Sequence, residues 1–274
     1  MDKIGLGIIT CNREEFYKEC YESVPYSFID ELVTVNDGKK YKGKYPKSKL
    51  IQHKTNMSVG ISKNDAIKHL QKKGCTHIFL IEDDIIIKDP TVFIKYIEAA
   101  EATGLLHLMF GYHGPANKAM QSKGKPTPRV VIEYTDDIKI ALNQHCVGAF
   151  CYFHKDVIDE VGLFDETYKN VWEHVDHSYS IVKAGMLPAY WFWPDISNSY
   201  EYLDEQACSE EVQKGVIRKK EDWEDNMVAG AKHFHSKYES FPGSIEDTEP
   251  QKVLTALKEI KKKYSKKACT TLQS

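Results

Sequence analysis

The sequence predicts an α/β fold, an αβα sandwich with a mixed, mostly parallel central sheet. Short apolar runs alternate with stretches of helical spacing through the first half of the chain. Each run stops at polar or turn-forming residues, as at Asn12, at Asp37-Gly38 and at Glu82-Asp83-Asp84. The segments between runs are long enough to be crossover helices, which implies right-handed βαβ units.

In order, Ile4–Thr10 reads as a buried strand, and 12–24 as a helix with Phe16, Cys20 and Val24 on one side. Residues 31–37 form a second strand, 39–49 (KKYKGKYPKSK) a basic loop, and 49–55 a third strand. Residues 59–74 have apolar positions at Val59, Ile61, Ala66, Ile67 and Leu70 and end on Gly74, a helix stop. Strand four is THIFLIEDD (76–84), followed by a helix over 89–104 with Pro90 in its first turn. The second half is less regular. It offers a strand at 105–112, a Gly/Pro/Lys-rich loop at 113–128, a hairpin of 130–134 with 138–142, and a strand at 145–153. Helices at 155–162 and 171–185 and an aromatic-rich strand at 187–194 follow. Residues 251–267 hold seven Lys against one Glu, which divides the chain into a domain over 1–242 and a basic helical tail over 243–274.

With 274 residues, 42% hydrophobic and 28% charged, and a net charge of −3, the composition is that of a globular protein without a global field for nucleic acid. No nucleic-acid partner is expected. The seven cysteines are scattered without CxxC spacing, which predicts free thiols in a reducing compartment rather than a zinc site. The apolar part of MDKIGLGIIT is too short for a signal peptide, and no run reaches the length of a membrane span. A cytoplasmic location is expected. Membrane association falls to the tail, where Val253, Leu254, Leu257 and Ile260 give a basic helix an apolar side.

Three adjacent carboxylates at the end of an apolar strand need a reason, because burying them unpaired costs several kcal/mol. In a parallel sheet, ligands sit beyond the carboxyl ends of the strands. Acids there suit a hard cation such as Mn²⁺ or Mg²⁺, able to hold a diphosphate and to neutralise charge on a phosphate leaving group.

The segments ITCNR (9–13), VNDG (35–38), NMSVGISKNDAI (56–67) and FLIEDDIII (79–87) resemble, in order and spacing, the motifs of nucleotide-sugar-dependent glycosyltransferases of the GT-A fold. The family-2-like group of these enzymes reads T-x-N-R, D-D-G-S, N-x-G-x-x-x-A-R-N and D-x-D. GAFCYFHKDVIDEVGLFDETY (148–168) resembles that group's segment ending V-G-x-F-D-E, and WEHVDHSYSIVKAG (172–185) its G-E-D-x-D-L-x-x-R helix. The likeness runs over roughly residues 3 to 195. It implies a metal-dependent enzyme that moves a sugar from a nucleotide-diphosphate sugar, expected to be UDP-linked, to a hydroxyl of a glycan, lipid-linked or glycoprotein acceptor, with inversion.

The resemblance also implies roles. Thr10, Asn12 and Arg13 match the turn that borders the nucleotide, and Asp37 the acid that bonds the base. Lys63 stands where relatives carry an Arg near the ribose and diphosphate, keeping the charge without the bidentate fork. Glu82, Asp83 and Asp84 occupy the D-x-D position, with Asp84 as the metal ligand and Glu82 toward the ribose or a metal-bound water. Relatives take the acceptor proton with a Glu-Asp pair; here the pair reads Glu173-His174, with Asp176 and His177 further along the same helix. Glu173 or Asp176 is the expected base, with His174 also suited to the role. Several GT-A enzymes add a C-terminal His to the metal, and His235 of KHFH (232–235) is the candidate, since an extended segment would align it with His233. Trp172, beside the base, is placed to stack on a sugar. The competing reading is a non-catalytic nucleotide- or glycan-binding protein on the same fold, supported by the Glu-His departure. A nucleotidyltransferase is disfavoured because ITCNREEF lacks the glycine-rich loop those enzymes carry after strand one.

Overall fold

The computed structural model describes residues 2–119, 125–206 and 221–265. Its central sheet has six strands: β1 (Ile4–Thr10), β2 (Glu31–Asn36), β3 (Lys49–Gln52), β4 (His77–Glu82), β6 (His107–Met109) and β11 (Phe150–His154). Their order is β3-β2-β1-β4-β11-β6. The first four run parallel, while β11 lies antiparallel to both β4 and β6. The interior strands β1, β4 and β11 are buried almost end to end, as expected of strands covered on both faces.

The crossovers are α1 (Glu14–Ser23), α2 (Val59–Lys72) and α3 (Val92–Thr103). Helix α2 packs on β1 and β2, burying Ala66, Ile67 and Leu70 of the five apolar positions that its spacing predicts, while Val59 and Ile61 are half-buried. Helix α3 closes on Gly104, whose φ of 75° is the left-handed cap geometry that favours glycine. Glu82 ends β4, Asp83 and Asp84 form the turn that follows, and β5 (Ile85–Ile87) then pairs antiparallel with β13 (Leu203–Glu205). The loop over 113–128 carries a small ladder of β7 (Lys118–Ala119) with β8 (Lys125–Pro126). The predicted hairpin is present as β9 (Val130–Glu133) and β10 (Lys139–Asn143).

Beyond β11 come α4 (Lys155–Val161), α5 (Glu173–Lys183), the short α6 (Ser199–Tyr202), α7 (Trp223–Tyr238) and α8 (Pro250–Tyr264). Two expectations need correction. The aromatic strand begins later, as β12 (Trp193–Ile196), because Trp191 takes a left-handed φ of 68° and turns the chain; β12 then extends the hairpin by pairing with β10. The basic tail is no appendage, since α8 packs on α3 and buries Val253, Leu257, Ile260 and Tyr264. The apolar side available for lipid is thereby used inside the fold, with Leu254 alone of the four predicted residues exposed. A Cβ on Gly104 would come within 2.7 Å of the Ile260 carbonyl oxygen, so this glycine also permits the close approach of α8. Among the described residues, no helix is long and apolar enough to cross a membrane, and Cys11, Cys20, Cys75, Cys146 and Cys151 form no disulfide with one another.

Candidate active site

Strands β1 and β4 are parallel neighbours with Ile9 opposite Glu82, so their carboxyl ends emerge together. The strand order reverses here, with β2 and β3 on one side and β11 and β6 on the other. Such a switch point is where an open α/β sheet forms its ligand crevice. The turn Thr10–Arg13 and the acids Glu82–Asp84 meet there because each follows one of these two strands.

The acidic turn is held from both sides. Asp83 N–H donates to the Ile9 carbonyl (3.1 Å), Gln206 N–H to the Asp84 carbonyl (2.8 Å), and Gln206 Nε2 to the Asp83 carbonyl (2.9 Å). Asp83 is fully buried. Thr10 Oγ1 donates to it at 2.6 Å, and Arg13 pairs with it closely while reaching Asp84 Oδ2 at 3.1 Å. Tyr41 joins this chain, accepting from Arg13 N–H (3.1 Å) and lying 2.6 Å from Thr10 Oγ1. Burial pushes the Asp83 carboxyl upward, the Arg13 guanidinium pulls it down, and adjacent Asp84 adds to the rise. Both Asp83 oxygens face protein groups, so this residue builds the turn rather than presenting itself to a ligand.

Asp84 differs. Its Oδ2 bonds Arg13, but its Oδ1 is buried without a hydrogen-bond partner. An orphaned buried carboxylate oxygen is costly in a stable fold and is the donor a hard cation takes. Among the described residues, no group of three or more His, Cys, Asp or Glu could hold a metal alone. Mg²⁺ is commonly bound through one or two carboxylates with substrate phosphates completing its shell, so the residues present fit a cation shared with a diphosphate. The imidazole beside Asp84 is His113, 3.9 Å from Oδ2 and 3.4 Å from Glu205 Oε2. His235 is elsewhere: KHFH is helical rather than extended, and His235 is exposed with its ring 4.6 Å from that of Phe241. His233 bonds Asp165 at 2.8 Å.

A buried lysine links the acids to α5. Lys63 is 1% exposed, and its Nζ lies 3.0 Å from Glu82 Oε1, 3.0 Å from the Gly148 carbonyl and 3.8 Å from Glu173 Oε1. Gly148 has to be small, because a Cβ would come within 2.9 Å of the His174 ring and 3.0 Å of Lys63 Nζ. Glu173 opens α5 and is buried; its Oε1 lies 3.1 Å from His174 Nδ1, while Oε2 has no partner. Burial pushes the Glu173 carboxyl up, but the pull of His174 and Lys63 prevails and holds it at about 2.

The remaining α5 residues turn away. Asp176 bonds Lys237 of α7 at 2.7 Å and accepts from Tyr168 O–H at 3.0 Å. His177 lies 2.9 Å from the Gly162 carbonyl and stacks on Phe164, instead of pairing with Glu173; burial drops it to about 4. Trp172 takes a left-handed φ of 64° and donates its indole N–H to the Met227 carbonyl of α7 at 3.1 Å, so it serves packing rather than an open sugar platform.

On the nucleotide side, Asn12 sits at φ 56° and accepts from Lys39 N–H at 2.8 Å. Asp37 is engaged on both oxygens, accepting from Met57 N–H (2.6 Å), Ser58 N–H (2.9 Å) and Asn56 Nδ2 (2.7 Å), with His53 Nδ1 at 2.7 Å. In this conformation its carboxylate anchors the 53–58 loop in place of a base. Sequence reasoning missed Tyr41, His113, Lys118 and Glu205. Lys118 pairs with Glu205, which β13 delivers to the turn by pairing with Ile85, and no local pattern announces that long-range contact.

None of the protein-family models matches the sequence, and no curated protein matches it. Solved structures do. S. aureus TarS 1-349 in complex with UDP-GlcNAc gives a TM-score of 0.55 at 14% identity, covering 94% of this chain and 71% of that one. The chain has the GT-A fold. A second structure of S. aureus TarS gives 0.50 at 15% identity over 86% of this chain and 44% of that one. GalNAc-T7 with UDP, GalNAc and Mn²⁺ gives 0.51 at 11%, over 72% and 42%. The GT-A chain described here therefore spans less than half the length of those last two.

Proposed function

We propose that this protein is a metal-dependent glycosyltransferase that moves a sugar from a nucleoside-diphosphate sugar to an acceptor hydroxyl of a glycan. The observation that carries the reading is the pair of buried, unpartnered carboxylate oxygens, Asp84 Oδ1 in the turn after Glu82 and Glu173 Oε2 on α5, with Lys63 ion-paired to both Glu82 and Glu173. One suits a cation with the donor diphosphate, the other an acceptor proton. Around them stand five carboxylates (Glu82, Asp83, Asp84, Glu173, Glu205) against three permanent cations (Arg13, Lys63, Lys118), a surplus that a divalent ion would balance.

Asp84 would hold Mn²⁺ or Mg²⁺ with His113 nearby, and Arg13 orients Asp84. When bound, the cation supplies Lewis-acid neutralisation of the leaving diphosphate. Glu173 Oε2 takes the proton of the acceptor hydroxyl. As the acceptor oxygen bonds to the anomeric carbon, the bond from that carbon to the diphosphate oxygen breaks, giving inversion and a free nucleoside diphosphate. His174 and Lys63 fix Glu173 through Oε1, leaving Oε2 to act. UDP sugars are the donors to test first, since TarS was solved with UDP-GlcNAc and GalNAc-T7 with UDP and Mn²⁺.

The test is release of nucleoside diphosphate from a panel of UDP and GDP sugars, with Mn²⁺, with Mg²⁺ and with chelator. Metal-dependent release from one donor, lost in Glu173→Gln and Asp84→Asn, is expected. Nucleotide binding without turnover of any donor would favour a non-catalytic binding protein.

A further inference from the structure

The surface between β2 and β3 is basic and carries exposed apolar side chains that, unlike those buried on α8, have no packed partner face among the described residues. Residues 38–54 carry seven lysines and no acid, in a protein whose net charge is −3. All seven lysines are exposed. Their backbone is fixed: Glu14 accepts from Lys42 N–H (3.1 Å) and Gly43 N–H (2.6 Å), and the Tyr21 phenolic oxygen accepts from Lys47 N–H (2.9 Å). Lys47 folds back over the Tyr26 ring at 4.0 Å. Two large apolar side chains stand in the open within and beside this stretch, Leu50 at 49% and Met57 at 43% exposure. Met57 is held to the loop's start by its N–H bond to Asp37.

Lysine on an edge strand discourages pairing with another sheet, and that accounts for Lys49 on β3. It does not account for the lysines of the loop or for Leu50 and Met57. Cationic heads carried on a fixed loop with exposed apolar side chains among them match an anionic bilayer, whose headgroups attract the charges and whose acyl boundary accepts the apolar groups. A soluble polyanion would use the lysines but leave Leu50 and Met57 without a role.

We propose that the face formed by the 39–49 loop, β3 and Met57 docks this protein on anionic lipid membranes. The contact thus lies at the nucleotide-side edge of the sheet rather than on α8, whose apolar side is buried. Tyr41 of the same loop bonds the Thr10–Arg13 turn, so the proposed docking face adjoins the candidate active site.

The test is co-sedimentation of the full chain with vesicles of phosphatidylcholine, alone and mixed with phosphatidylglycerol, in low and high salt. Binding is expected only to the mixed vesicles and is expected to be released by salt, as the screening length falls from about 10 Å at 0.1 M to about 3 Å at 1 M. Replacing Lys39, Lys40, Lys42 and Lys44 together by Gln should weaken partitioning at least about tenfold. The double variant Leu50→Ser, Met57→Ser should also weaken it, while Lys261, Lys262 and Lys263 changed together to Gln should not. Urea midpoints matching the wild type establish that the variants are folded, and the salt release is read on the wild type alone. Failure to bind mixed vesicles overturns the proposal, as does binding that only the α8 variant abolishes. Capture of polyphosphate without vesicle binding would assign the face to a soluble polyanion instead.

Discussion

Glu173 is the proposed base, and its buried, ion-paired carboxyl also bears on stability. With its carboxyl held at about 2 by His174 and Lys63, it is ionised across the neutral range. Glu173→Gln keeps the shape and removes the base, so turnover should fall by about 10²–10⁴ with nucleotide affinity within a few-fold. Nucleotide binding lost along with turnover would assign Glu173 to the donor site. The depressed pKa has a second consequence. A group whose folded pKa lies below its unfolded value stabilises the fold above the unfolded value and loses that contribution as pH falls through the folded one. Glu173 should therefore contribute on the order of 3 kcal/mol at neutral pH, lost between about pH 4.5 and 2. Urea melts of wild type and Glu173→Gln over that window should converge as pH falls; parallel curves would contradict it. Asp176, three residues on, predicts the opposite phenotype. Its bonds to Lys237 and Tyr168 tie α5 to α7, so Asp176→Asn should cost about 1–3 kcal/mol of stability while turnover per folded molecule is retained. The difference between the two acids is invisible in sequence, where both stand in the first turn of one helix and only the tertiary partners separate them.

At the scale of elements, period and punctuation carried most of the reading. The strands β1, β2 and β4 are legible as continuous apolar runs buried on both faces, the helices α2 and α5 by an apolar side, and all by the Asn, Asp or Gly at their ends. Helix α7 has a weak pattern with two fully buried residues, Gly230 and Phe234, and nothing in its sequence says that it cradles Trp172 and Asp176. Helix α8 was legible as a helix but not as part of the core, since an apolar stripe looks the same whether lipid or protein covers it. Its packing makes a prediction. Leu257, 3% exposed, should cost about 2–5 kcal/mol when changed to Ala, read as a lowered urea midpoint of the single unfolding transition. An unchanged midpoint would mean that α8 is an independent appendage after all.

Across the whole molecule, the sheet order decides where chemistry is possible. Placing β1 between β2 and β4 brings residues seventy positions apart, Arg13 and Asp83, into one ion pair, and the same switch point opens the crevice beyond them. Sequence motifs located that crevice because they follow strand ends. They could not supply His113, which comes from the loop after β6, or Glu205, which β13 brings in by pairing with β5. The central claim is that this crevice binds a nucleoside diphosphate through a cation held at Asp84. The most direct measurement is calorimetry of UDP and GDP with and without Mn²⁺, on wild type and on Asp84→Asn. The account predicts metal-dependent binding of one nucleotide, weakened at least about a hundredfold in the variant, in line with the cost of about 3 kcal/mol for losing a buried charged ligand. Binding indifferent to metal and to Asp84, or no binding of either nucleotide, would contradict it.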